Sequence, residues 1–226
     1  MHSTNSIHAS SIIYDGVIIG SDNWIAPYAV IGSPGEIRNY DLRPANECQT
    51  NLDIGVIIGD RNVIREFSTI QAGATSPTKI GNDCYIMTKT HIPHDAILKN
   101  GVTISSAAIV GGHSIIGDNA NVGLNSVLHQ GAVVGDGVMI GMGSVLKGGV
   151  PPFMLGFGNP FRISRVNSHI IEKLQLEEEI NFALIQAVKE KSPKILLELE
   201  SLSSYIDRYL SDCETNRVDP WANLLK

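Results

Sequence analysis

The chain has 226 residues, 17 Lys plus Arg against 23 Asp plus Glu, and 43% apolar side chains. One sizeable domain with a smaller appendage fits that length, and a net charge of −6 without clustered cations excludes a nucleic-acid binder, which must neutralise phosphates. No apolar run approaches the roughly 18 residues needed to cross a bilayer, and the start MHSTNSIHASSIIYDG lacks a basic segment followed by an apolar one, so no membrane span is expected and the cytoplasm is the expected compartment.

In chain order, short tracts come first: Ile19, Ile25 and Ile31, then Ile58, Ile64 and Ile70, each spaced by six. Two polar interruptions separate them. The segment between Ile31 and Ile58 is long and proline-bearing, and the interval from Ile70 to Ile80 has four extra residues around Ser76-Pro77. Both read as loops thrown out of a scaffold, where binding residues often sit. From Ile80 the period holds without a miss through Ile86, Ile92, Leu98, Ile104, Val110, Ile116, Val122, Leu128, Val134, Ile140 and Leu146. Four residues after each, the side chain is small or β-branched, as in Ala96, Ala108, Ser114 and Ala132. A period of six fits neither the 3.6 of a helix nor the 2 of a strand. It fits a triangular β-solenoid in which each hexad is one short strand and a corner, and three hexads close one coil.

After Val150-Pro151-Pro152 the repeat stops. From about Asn167 an amphipathic helical pattern begins, and a second helix runs from Ser192-Pro193 to Leu210, with Ser192 as N-cap and Pro193 at the first helical position. The expected division is therefore a β-helix domain over 1–166 and a helical region over 167–226. Cys48, Cys84 and Cys213 are scattered and odd in number, which argues against a disulfide framework or a cysteine metal site.

Folded onto three hexads per coil, the hexads holding His94-Asp95, His113 and His129-Gln130 stack in successive coils, with parallel neighbours about 4.8 Å apart. Four histidines, His91 included, and a carboxylate are thus expected on one wall. Three readings are open: polar residues at exposed positions, a zinc site, or a catalytic base with its carboxylate partner.

The series IGDRNVIREFSTI, MTKTHIPHDAILKN, IVGGHSIIGDNA, SVLHQGAVVGDGVMIG, VPPF and GNPFRISRVN resembles, in order and spacing, the acyl carrier protein-dependent UDP-N-acetylglucosamine O-acyltransferases that begin lipid A synthesis. The resemblance covers about residues 12 to 170. It implies an all-β main domain, a left-handed parallel β-helix of hexapeptide repeats with a C-terminal α-helical extension, assembled as a homotrimer. His94 would be the general base, Asp95 its partner and the Gly112 N–H an oxyanion donor. His91, His113, His129 and Gln130 would contact substrate, Asp41 and Arg43 would hold the sugar and its phosphate, and Asn167 and Lys173 would meet the nucleotide. Met142 would be an acyl-chain ruler set for short to medium chains. The partners implied are a nucleotide sugar and an acyl thioester of carrier protein or coenzyme A, with no cofactor and no metal. Lys173-Leu174 stands where the family has paired basics, and His169 where it has an acid. The alternatives are a coenzyme A-dependent sugar N-acetyltransferase, a carbonic-anhydrase-like zinc enzyme and a non-catalytic scaffold.

Overall fold

The computed structural model describes residues 4–38 and 54–224. The chain winds into a parallel β-solenoid of about eight turns, followed by a short helical region. The hexad rule accounts for the core. From Ile25 to Val150, every aliphatic residue of the series is at most 2% exposed, and the small residues four positions on, from Cys84 to Ser144, are equally enclosed. Each such aliphatic side chain contributes about 1.5–3 kcal/mol on burial.

The strands are only two to five residues long and stack into three faces. On the first, Trp24–Ile25 pairs with Val63–Ile64, which pairs with Tyr85–Ile86 and onward to Met139–Ile140. The third runs from Val17–Ile19 through Ile97–Leu98 and Val133–Val134 to Gly149–Val150. The second carries Ile12–Ile13, Val30–Ser33, Thr69–Gln71 and His91–Ile92 in one sheet, and Val127–Leu128 with Val145–Leu146 in another. Between those two sheets the coil at Ile109 makes only isolated bridges, to His91 and to Val127. Backbone hydrogen bonds still run through that coil, from the Val110 N–H to His91 O and from the Leu128 N–H to Ile109 O.

The corner between the third and first faces is stitched by side chains. Asn82 accepts from the backbone N–H of Asp60, Asn100 from that of Asn82, Asp118 from that of Asn100 and Asp136 from that of Asp118, at 2.7–2.9 Å. Short acceptors at one residue per coil thus satisfy N–H groups that a corner would otherwise strand.

Three features depart from the sequence expectations. The repeat starts earlier than Ile19: Ile7 and Ile13 complete a first coil, in register with Ile25 and Ile31. It also ends later, because Met154–Phe157 adds to the first face beyond Met139–Ile140 and turns back through an antiparallel strand, Arg162–Val166. Finally, the helical region is four helices and not two: α1 (Ser168–Lys173), α2 (Glu178–Glu190), α3 (Pro193–Glu198) and α4 (Ser203–Asn216), with a 3-10 turn, Glu200–Leu202, before α4. Ser192 sits at the N-cap of α3 with Pro193 next, but its side chain makes no capping bond.

Helix α4 lies along the third face. Val133, Tyr209 and Cys213 are buried together, and Lys99 Nζ meets Asp212 at 2.6 Å. Arg208 pairs with Asp136 and reaches Asp118 at 3.5 Å. The unassigned tail packs as well: the Tyr209 hydroxyl donates to the Pro220 carbonyl, and Asn223 Nδ2 donates to Gly149 O at 2.8 Å. Cys84 and Cys213 are buried free thiols, while Cys48 lies outside the described residues. Among the described residues, no helix is long and apolar enough to cross a membrane.

Candidate active site

The histidines gather at the corner between the second and third faces, not on a flat wall. His94 and Asp95 form one turn there; Gly112 and His113 form the corresponding turn of the next coil, and Gln130 and Gly131 that of the one after. In strict register Gly112 therefore stacks on His94, and His113 stacks on Asp95. The rings still meet: the His94 and His113 centroids are 5.1 Å apart, edge to face.

Asp95 is the best-held side chain of the site, with its carboxylate 1% exposed. Its Oδ1 accepts from the Thr75 N–H (2.8 Å), the Ser76 N–H (2.6 Å) and the Thr75 hydroxyl (2.8 Å). Its Oδ2 faces His94 Nδ1 at 2.8 Å, accepts from the Ala74 N–H at 3.1 Å, and lies 3.8 Å from His113 Nε2. Burial pushes the carboxyl pKa up, but the bonds from His94, Thr75 and Ser76 outweigh it and hold the group well below the ordinary carboxylate range. An ionised carboxylate only accepts, so Nδ1 of His94 carries a proton, and in the neutral ring the lone pair is then on Nε2. The donors come from the extra residues after Ile70. Sequence reasoning marked that stretch as a loop but missed its task; a Thr-Ser pair inserted one coil before a corner aspartate was the available signal.

Gly112 makes room for the imidazole, and Gly111 for the backbone of the next coil. A Cβ on Gly112 would lie 2.7 Å from Cε1 and 2.8 Å from Nε2 of His94, and one on Gly111 would lie 2.4 Å from the Gln130 nitrogen. Among the described residues the Gly112 N–H donates to no backbone carbonyl, and neither do the equivalent corner N–H groups of His94 and Gln130 one coil to either side.

His91 sits on the second face, with Nδ1 2.6 Å from the Thr69 hydroxyl and Nε2 3.8 Å from Glu36. Burial lowers its pKa, against the pull of Glu36. His129 Nδ1 donates to the Gln130 carbonyl at 3.0 Å, and both side chains are exposed. A groove of about 590 Å³ opens beside His113, His129, Gln130 and Gly131, and the end of α4 closes its other side with Thr215, Asn216 and Arg217. The sequence carried no sign of that contribution.

Other expected residues stand elsewhere. Asn167 Nδ2 donates to the Gly137 carbonyl at 2.9 Å, and Lys173 is exposed at the end of α1. Neither makes a contact with the histidines of its own chain among the described residues. Met142 is 72% exposed. Asp41 and Arg43 lie outside the described residues. As for a metal, His94, Asp95 and His113 offer three ligand atoms within 4.8 Å of one another. The Asp95 oxygens are already engaged by five N–H and O–H donors and the His94 ring, so an ion there would have to displace the bond that orients His94.

A family described as the hexapeptide repeat of succinyl-transferase matches residues 114–147. An acyl carrier protein-dependent UDP-N-acetylglucosamine O-acyltransferase from Campylobacter concisus is 32% identical over 215 residues, 81% of this chain and 82% of that protein. The chain belongs to the acyl carrier protein-dependent UDP-N-acetylglucosamine O-acyltransferase family. A second family member, from Verminephrobacter eiseniae, is 33% identical over 159 residues, 69% of this chain; the match spans only 57% of that relative's length. Among solved structures, the UDP-N-acetylglucosamine acyltransferase from Bacteroides fragilis superposes with a TM-score of 0.80 at 27% identity, over 92% of this chain and 84% of that one.

Proposed function

We propose that this protein moves an acyl group from a thioester, carried by acyl carrier protein, to a hydroxyl of UDP-N-acetylglucosamine. The observation that carries this reading is His94, held by a caged carboxylate through Nδ1 with Nε2 facing Gly112. Family membership supplies the substrate classes. In the reaction, Nε2 of His94 takes the proton of the sugar hydroxyl as that oxygen attacks the thioester carbonyl. Asp95 stabilises the imidazolium so formed, and the Gly112 N–H donates to the tetrahedral oxyanion. Collapse breaks the carbon–sulfur bond, and the departing thiolate receives the proton from the imidazolium.

The outward side chains of the second face suit the acyl chain. Beyond His91 they run Ile109, Val127 and Val145, each 37–46% exposed, and Leu124 with Met142 flank them at the next corner. Met142 is the ruler of this reading, favouring a short to medium chain. Such an open apolar face also fits a neighbouring subunit, and the homotrimer that the family resemblance implies would put substrate between protomers, with Asn167 and Lys173 reaching the nucleotide from the adjacent copy. His91, His113, His129 and Gln130 line the acceptor's side.

The test is thioester consumption with carrier-protein and coenzyme A donors against a panel of nucleotide sugars, comparing wild type with His94→Ala. Loss of turnover by about 10²–10⁴-fold in the variant is expected. Undiminished turnover in His94→Ala would remove the base assignment, and stoichiometric zinc in active protein would favour metal chemistry at His94, Asp95 and His113 instead.

A further inference from the structure

We infer that the end of α4 is part of the acceptor site, and that Arg217 binds the diphosphate of the nucleotide sugar from within the same chain that supplies His94. This inference rests on the acyltransfer reading for its substrate and on the groove's own chemistry for its ligand class. The groove beside His113, His129 and Gln130 is lined on its far side by Thr215, Asn216 and Arg217. Its described lining holds one guanidinium, two imidazoles, amides and a hydroxyl, and no carboxylate. A diphosphate brings negative charge and several acceptor oxygens, and a guanidinium fork is the side chain that best matches them.

The lip is a fixed part of the fold. Asn216 Nδ2 donates to His113 O at 2.7 Å and to Gly131 O at 3.2 Å, joining two successive coils at the site corner. One turn or more back along α4, Asp212 pairs with Lys99 and Arg208 pairs with Asp118 and Asp136. Cys213 is buried against Val133 between these anchors. The helix end is therefore held at the groove before any ligand arrives. Arg217 follows in a left-handed conformation, φ 54°, with its N–H on the Glu214 carbonyl. Its side chain is exposed and makes no ion pair among the described residues. A cation whose backbone is held beside the groove, with no ion pair of its own among the described residues, suits an anion that comes from outside.

The full chain should be compared as wild type, Arg217→Gln and Arg217→Lys, after melting curves show that exposed Arg217 can be replaced without loss of fold. In steady-state kinetics, Arg217→Gln is expected to raise the acceptor KM about tenfold, with kcat and the donor KM within about twofold, and Arg217→Lys to recover part of the loss. Calorimetric titration with UDP alone should weaken by a similar factor. An unchanged acceptor KM with unchanged UDP affinity overturns the inference. So does a rise confined to the donor KM, which would assign Arg217 to the phosphodiester of the donor's phosphopantetheine arm. If the wild type transfers no acyl group yet binds UDP through Arg217, the acyltransfer reading fails and the diphosphate site stands. Wild-type protein that does not bind UDP overturns the site.

Discussion

Gly112 stands one coil from His94, so close that a single added methyl group would lie 2.7 Å from the imidazole Cε1. The φ of Gly112 is not positive, so the requirement for glycine there is one of space and not of backbone freedom. Gly112→Ala is expected to keep the solenoid and push the ring aside, lowering kcat by about 10²-fold, the usual cost of a misplaced catalytic group. Melting curves and kcat measured together separate this from simple unfolding.

Asp95 acts by charge and by the tautomer it imposes. In Asp95→Asn the amide oxygen can take only part of the loop's donors, and its NH₂ would favour the His94 tautomer with the proton on Nε2. A loss of roughly 10²–10⁴-fold in kcat is expected, with a smaller change in acceptor KM. Equal losses in both would show that the residue serves binding instead.

The same carboxylate sets a pH dependence of stability. Its folded pKa lies below the unfolded value near 3.9, so its contribution is complete above about pH 5 and is lost as pH falls toward the folded value. Calorimetric melting from about pH 5 to about pH 3 should show a steeper decline in wild type than in Asp95→Asn, which has no group to protonate. Parallel declines would mean that other carboxylates dominate.

Arg208 compensates a buried acid. Burial pushes the Asp136 carboxyl pKa up, while Arg208 pulls it down, and the Asp136 side chain is 7% exposed. Arg208→Met should therefore destabilise the protein by about 1–3 kcal/mol in urea unfolding, and Asp136→Asn in the same chain should recover part of it. Full additivity of the two changes would show that the pair does not interact.

Met142 gives the readiest test of substrate choice, because it is 72% exposed and its replacement opens no cavity in the core. Met142→Gly should shift donor preference, read as kcat/KM over a series of acyl lengths, toward longer chains. An unchanged profile would leave Met142 a subunit-packing side chain.

The hexad period determined the solenoid from sequence alone, because a prism core accepts an aliphatic residue at one position in six and a small one at another, and the aliphatic positions from Ile25 and the small ones from Cys84 to Ser144 are enclosed as the pattern requires. The coil arithmetic also placed His94 and His113 together, since stacking fixes which corners become neighbours. What the repeat could not carry lay outside its period. The cage around Asp95 is made by backbone N–H groups of Ala74, Thr75 and Ser76, whose direction depends on how an inserted loop folds back. The Gly112 N–H stands at a corner position outside the backbone ladder, and whether a side chain of the next coil takes it, as Asp118 takes that of Asn100, depends on what that coil places there. Arg217 is 104 residues beyond His113 in the chain, and only the docking of α4 through Asn216 and Asp212 brings it to the groove. Local periodicity wrote the scaffold; contacts between distant segments, each decided by packing and by the need to satisfy buried polar groups, decided the site.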